Sequence, residues 1–282
     1  MATGIDDEVT LRANREGFLK FQLRPRRLVD VATIDMTTEL LCTRFDSPIV
    51  IAPTGSNRAF HSDGEVAVAN AARTGNHLQI LSSGATTSIE EVIAARGAPV
   101  WFQLYPRKWE VTEALLKRAE RAGSSVAVVT VDGGAFTNWE TLARLRRIDT
   151  RQCDACHGSS IRDYVARRPN FDGIDVSDPA SMNIANLTWD SIKRLRDSTK
   201  MKIVLKGILT HEDAALTATT ASTRLLFQTM ADASSTAAVR QSRSCRKSSR
   251  RSADESQSSW TAAFVVAPTS SRHWPWAPKP YA

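Results

Sequence analysis

Five short apolar runs, each closed by polar residues, constrain this chain more than any other feature. They are Pro48–Ala52, His77–Leu81, Pro99–Leu104, Ser125–Val131 and Lys202–Leu205. A short apolar run bounded by turn residues reads as a strand buried on both faces, as in a parallel sheet. Helical patterns lie between them, over about 63–74, 88–96, 109–122 and 188–199. Ser88 ahead of Glu90-Glu91, and Thr188 ahead of Asp190, read as helix starts. Strands that alternate with helices are parallel and joined by crossovers. The early runs recur every 22–29 residues or so, a rhythm that suits a (β/α)8 barrel and equally a doubly wound sheet.

The residues that end the runs favour the barrel. Thr54 and Gly55 follow the first run, and Ser82 and Ser83 the second. Gln103 and Tyr105 end the third, Thr130 and Asp132 the fourth, and Lys206 the fifth. Barrel enzymes carry their chemistry at the C-terminal ends of their strands. Any one of these residues reads as well as a loop residue; five consecutive strand ends make a pattern. Lys206 is the sharpest. It follows Ile203-Val204-Leu205 directly, and a lysine buried at the end of such a strand is costly unless it faces an anion or a cofactor.

Before the barrel, residues 6–20 read as a helix with an acidic first turn, and Leu23-Arg24-Pro25-Arg26-Arg27 as a connection. Residues 1–47 thus form an N-terminal helical and connecting segment, and 48–215 the barrel part. Between the fourth and fifth strands lies an insertion at about 136–187, a length typical of lids and binding loops. It holds Cys153-Asp154-Ala155-Cys156-His157, formally the C-x-x-C-H of haem attachment. The start of the chain lacks the basic-then-apolar pattern of an export signal. Zinc would need two more ligands at suitable spacing. The two cysteines are therefore read as ordinary thiols, with no metal expected. No apolar run has the length of a membrane span, and only four cysteines are present, so the expected location is cytoplasmic. The net charge is +7. From residue 216 onward there are nine Lys/Arg and three Asp/Glu, leaving +6 in the tail and +1 in the rest. The basic balance therefore says nothing about the barrel's partners.

These residues resemble a known family. Gly4-Ile5-Asp6-Asp7-Glu8-Val9-Thr10-Leu11-Arg12-Ala13-Asn14 is similar to the opening motif of the FMN-dependent α-hydroxy acid oxidases and dehydrogenases, which include glycolate oxidase and the lactate and mandelate dehydrogenases. Leu23-Arg24-Pro25-Arg26, Ile51-Ala52-Pro53-Thr54, Ser88–Val92, Trp101–Tyr105, Thr130-Val131-Asp132 and Leu205–Ile208 follow in family order. The resemblance covers about residues 4–214 and implies an FMN-type (β/α)8 barrel acting on a small 2-hydroxy acid. It implies that Pro53, Thr54 and Gly55 lie along the flavin by their backbone. Ser82, Gln103 and Thr130 would hydrogen-bond the ring, and Lys206 would sit beside its N1–C2=O edge. Tyr105 would contact substrate, and Asp132 would orient a histidine base. The family is often homo-oligomeric.

Three departures accompany the resemblance. The family's N-terminal substrate tyrosine would precede residue 1. Trp139 stands where the family has an arginine for the substrate carboxylate. The family's SNHGGRQ segment, with its histidine base, does not occur, nor do the phosphate-binding loops after strands seven and eight. From about Thr217 the strand–helix rhythm gives way to Ser, Arg, Thr and Ala. One plausible encoding of VSNHGGRQLD, read one nucleotide later, yields FQTMADASS, the sequence of Phe227–Ser235. Residues 216–282 are accordingly read as an out-of-frame, disordered tail behind an incomplete barrel of about five strands. FMN binding is expected to be weak and catalysis absent. The alternative is a non-catalytic protein whose Arg/Ser-rich tail binds nucleic acid; with the frame reading, no nucleic acid is expected.

Overall fold

The computed structural model describes residues 4–19, 22, 24–133, 138–150, 160–178, 182, 186–208, 210–219, 223–226, 237–240 and 260–266. Helix α1 (Val9–Leu19) opens the chain. It begins after Asp6, Asp7 and Glu8, so those acids precede the helix instead of forming its first turn. A two-stranded antiparallel hairpin follows, β1 (Thr38–Leu40) with β2 (Thr43–Phe45).

The five expected strands are present and parallel: β3 (Ile49–Ile51), β4 (Leu78–Ser82), β5 (Trp101–Leu104), β6 (Val126–Thr130) and β7 (Lys202–Lys206). The expected helices lie between them as α2 (Gly64–Thr74), α3 (Ile89–Arg96), α4 (Trp109–Arg121) and, past the insertion, α7 (Trp189–Asp197). Ser88 caps α3 through a reciprocal box with Glu91, and Thr188 does the same for α7 with Ser191. Each box satisfies two backbone donors that a helix start leaves open. The insertion contributes α5 (Glu140–Arg147) and α6 (Ile161–Ala166). The Cys153-Cys156 motif lies outside the described residues.

Alternation along the strands divides the core in two. Phe102, Leu104, Ala127, Val129, Ile203 and Leu205 face outward and pack against Val92 of α3, Leu115 and Leu116 of α4 and Ile192 and Leu195 of α7. Val50, Leu78, Ile80, Trp101, Val126, Val128 and Val204 face inward. They pack against Leu40, Leu41 and Phe45, so the hairpin plugs the floor of the barrel. Lys202, at the start of β7, donates from Nζ to the Leu41 carbonyl at 2.6 Å and ties the plug in place. Each fully buried side chain of this kind contributes about 1.5–3 kcal/mol.

Past β7 the ring continues beyond the five expected strands. After α8 (His211–Thr219) come β8 (Thr223–Leu226), β9 (Ala237–Arg240) and β10 (Trp260–Val266). β8 pairs parallel with β7, β9 pairs antiparallel with β8 and β10, and β10 pairs parallel with β3. The ring β10-β3-β4-β5-β6-β7-β8-β9 is closed. The physical reason is that the outer edges of β3 and β7 carry backbone donors and acceptors that must be paired. Thr223-Arg224-Leu225-Leu226 and Trp260–Val266 are the tail segments rich enough in strand-forming residues to pair them. The rest of the expected disordered tail lies outside the described residues. Cys42 is disulfide-bonded. Among the described residues no helix is long and apolar enough to cross a membrane.

Candidate active site

The inward row of each parallel strand is apolar at the floor and polar at the mouth. On β4 it runs from Leu78 and Ile80 to Ser82, and on β5 from Trp101 to Gln103 and then Tyr105. On β6 it runs from Val126 and Val128 to Thr130 and Asp132, and on β7 from Val204 to Lys206. On β3 the row passes Val50 and Ala52 to reach Thr54. A period of two therefore delivers Thr54, Ser82, Gln103, Tyr105, Thr130, Asp132 and Lys206 to one end of the barrel.

Ser82, Gln103, Thr130 and Lys206 are buried. Thr130 and Lys206 are direct partners in the β6–β7 ladder. Gln103 donates from Nε2 to Thr130 Oγ1 at 2.7 Å, and its backbone carbonyl accepts from Ser83 N at 2.7 Å. Ser82 Oγ accepts from Gly84 N at 3.1 Å. Burial drives the Lys206 ammonium below the usual lysine range, and the nearby Asp132 carboxylate opposes that shift. Tyr105 is raised above the ordinary phenol range by burial first, then by the charge of Asp132, so it stays a protonated donor.

Two glycines let backbones close on this site. Gly207 has φ +108°, and a Cβ there would lie 2.5 Å from Asp132 Cβ. Gly55 packs its backbone against the β4 turn; a Cβ would lie 2.9 Å from the Gly84 carbonyl. The same carbonyl accepts from Ser56 N at 3.1 Å. Pro53, Thr54 and Gly55 thus form a half-buried backbone ledge beside the β4 turn. Trp139 stands at the N-terminal boundary of α5, its backbone carbonyl accepting from Ala143 N at 2.8 Å.

The structure adds three residues that the sequence reading missed. Arg107 follows β5, is pushed below the usual arginine range by burial, and places its guanidinium 5.9 Å from the Tyr105 ring centre. Tyr164 lies on α6, and Arg168 follows shortly after it; the Arg168 guanidinium stacks on the Tyr164 ring at 3.6 Å. Only the RDYVARR pattern could have flagged the last two, and a short helix with three arginines in and just after it has no specific chemical signature.

The polar mouth fits a flavin ring: a flat backbone ledge on one side, buried hydrogen-bonding groups at the strand ends, and a cation whose burial calls for an anionic partner. Residues 1–223 match the family described as FMN-dependent dehydrogenase. The chain belongs to that family. It is 36% identical over 228 residues to glycolate oxidase 1 of Zea mays and 36% identical over 229 residues to glycolate oxidase of Spinacia oleracea. Each match covers 76% of this chain and 58% of the relative. Among solved structures, a mandelate oxidase superposes with TM-score 0.62 at 32% identity, covering 78% of this chain and 60% of that one. A lactate oxidase of Pediococcus acidilactici superposes with TM-score 0.65 at 28% identity, covering 78% and 58%. The chain therefore spans under two thirds of the length of these relatives. The family-level expectation of FMN as cofactor stands on these matches.

Proposed function

We propose that this chain is the flavin-cradling portion of an FMN-dependent oxidase or dehydrogenase of small 2-hydroxy acids, and that it does not turn over by itself. The observation that carries the reading is the buried polar row at the mouth, which ends on β7 at Lys206. When bound, FMN supplies the two-electron acceptor for oxidation of the hydroxy acid to the 2-oxo acid. The residues would divide the remaining work. Ser82, Gln103 and Thr130 hold the polar edge of the ring, and the Pro53-Thr54-Gly55 ledge supports its face. Lys206 places positive charge beside the edge where negative charge gathers. Tyr105 offers its phenol hydrogen to the substrate oxygen. Asp132 supplies the carboxylate that would hold a histidine base in its working tautomer, were one present.

The missing group is that base. The family's SNHGGRQ segment does not occur in the sequence, and the family match ends at residue 223. The reading divides the chain into residues 1–47, 48–215 and a tail from about 216, the family match running a few residues into that tail to 223, with FMN held weakly for want of the phosphate loops. A cytoplasmic home completes the reading. Loss of a general base alone typically slows a reaction by about 10²–10⁴-fold. The test has two parts. Titration of the purified chain with FMN, followed by quenching of flavin fluorescence, should show weak saturable binding. Turnover of glycolate, lactate or mandelate with a dye acceptor should stay at background. Absence of any flavin binding would remove the cradle reading; turnover well above background would remove the inactivity.

A further inference from the structure

Three polar atoms converge where Gly84 has no side chain. A Cβ built there would lie 3.5 Å from Ser82 Oγ, 3.6 Å from Tyr164 Oη and 3.7 Å from Arg168 Nε. Arg168 is held firmly around this point. Its Nη1 donates to the Tyr164 carbonyl at 2.8 Å, its Nη2 donates to Ser56 Oγ at 2.9 Å, and its planar face rests on the Tyr164 ring. Its third kind of donor, Nε, is shielded from solvent and has no hydrogen-bond partner. Among the described residues, no carboxylate pairs with it. A buried guanidinium N–H without an acceptor is a costly group. One that converges with a second donor over a residue without a side chain marks a place suited to an anion.

We propose that Arg168 Nε and Tyr164 Oη form a carboxylate subsite at Gly84, and that Arg168 supplies the cation missing at Trp139. The inference rests on the hydroxy-acid reading of the mouth. The subsite is bounded by Ser56, which follows the Pro53–Gly55 ledge, and by Ser82, at the end of β4. It therefore lies on the β3–β4 side of the mouth, beside the proposed ring position. A carboxylate is the anion that the hydroxy-acid reading brings there, and the phosphate arm of the test below separates it from a phosphate site. Arginine serves this role where lysine does so less well, because its planar donors fix the acceptor's orientation.

The test uses the whole chain and two probes, oxalate and inorganic phosphate, followed by titration calorimetry with and without FMN. Oxalate should bind, and Arg168→Met should weaken it by about tenfold or more, the loss of one charge-assisted hydrogen bond. Arg168→Lys should recover part of the affinity. Gly84→Ala sets a methyl at ordinary contact distance from the three polar atoms, so the fold is kept while oxalate binding falls. Thermal melts of each variant confirm that the fold is retained. No oxalate binding by the unaltered chain, equal binding by Arg168→Met, or an Arg168-dependent response to phosphate in place of oxalate would each overturn the assignment. Arg168-dependent oxalate binding in a chain that takes no FMN would leave the subsite standing and sink the flavin reading instead.

Discussion

Gln103 reaches past its own ladder partner to hold Thr130. In the β5–β6 register Gln103 is level with Val128, yet its Nε2 donates to Thr130 Oγ1 at 2.7 Å. Thr130 is thus an acceptor from the protein, which leaves its own hydroxyl hydrogen for an acceptor in the mouth. Gln103→Leu removes that arrangement. It should weaken FMN binding by about tenfold and lower stability by about 1–3 kcal/mol, since Thr130 is left with an unmet group. Adding Thr130→Val should return much of the stability but none of the affinity. Urea melts and flavin-fluorescence titrations separate the two effects; unchanged FMN affinity in the single variant would argue against the ring contact.

Lys206 carries a pH signature. Its pKa is lowered in the fold because burial disfavours the charged form. Between the lowered folded value and the ordinary unfolded one, the unfolded chain binds more protons. Stability of the ligand-free protein should therefore rise with pH through that window and level off near the unfolded value of about 10.4. Lys206→Met should raise the melting temperature at neutral pH and flatten the rise, while abolishing any FMN response. A melting temperature that falls in Lys206→Met would mean that the ammonium is already well compensated by Asp132.

Gly207 is the tightest point of the site. Alanine there meets Asp132 at 2.5 Å and must hold φ at +108°, a combination that should cost at least about 1–3 kcal/mol. In an Asp132→Gly background the side-chain contacts disappear, leaving the 3.0 Å approach to the backbone N of residue 132 and the dihedral strain, so the two changes should be less than additive. Denaturant melts of the four-member cycle read this directly. Strict additivity would show that the two residues do not meet.

The closing strands make a further testable claim. A chain ended at residue 219 loses β8, β9 and β10 and bares the outer edges of β3 and β7. Unpaired apolar edges of this kind template association. The shortened chain should aggregate at concentrations where residues 1–282 remain monodisperse by light scattering. Equal behaviour of the two would show that the tail strands contribute nothing to closure.

The parallel strands and their helices were legible because two periods coexist in the sequence, and because Ser88 and Thr188 announce helix starts. The mouth was legible through the polar residues that end each inward row: Gln103 two positions after Trp101, Thr130 two after Val128, Lys206 two after Val204. Other features were not legible. The hairpin Thr38–Phe45 is too short to show a period, and the strands in the tail are set by the edges they cover more than by their own pattern. Tyr164 and Arg168 are distant in sequence from Ser56 and Gly84, and only the folded chain brings them together.

Two residues beyond Arg168, Asn170 is fully buried and its Oδ1 accepts from Ile89 N at 2.9 Å, at the start of α3. Arg118 of α4 donates to the Pro169 carbonyl, and Phe171 is sealed in the outer core. The insertion is therefore riveted to the barrel wall immediately after the arginine. Ordering a free loop around a ligand sacrifices conformational freedom, typically about 0.5–1.5 kcal/mol for each long side chain immobilised. Here the fold has already met that cost, so an anion arriving at Gly84 finds a guanidinium that has no motion left to give up.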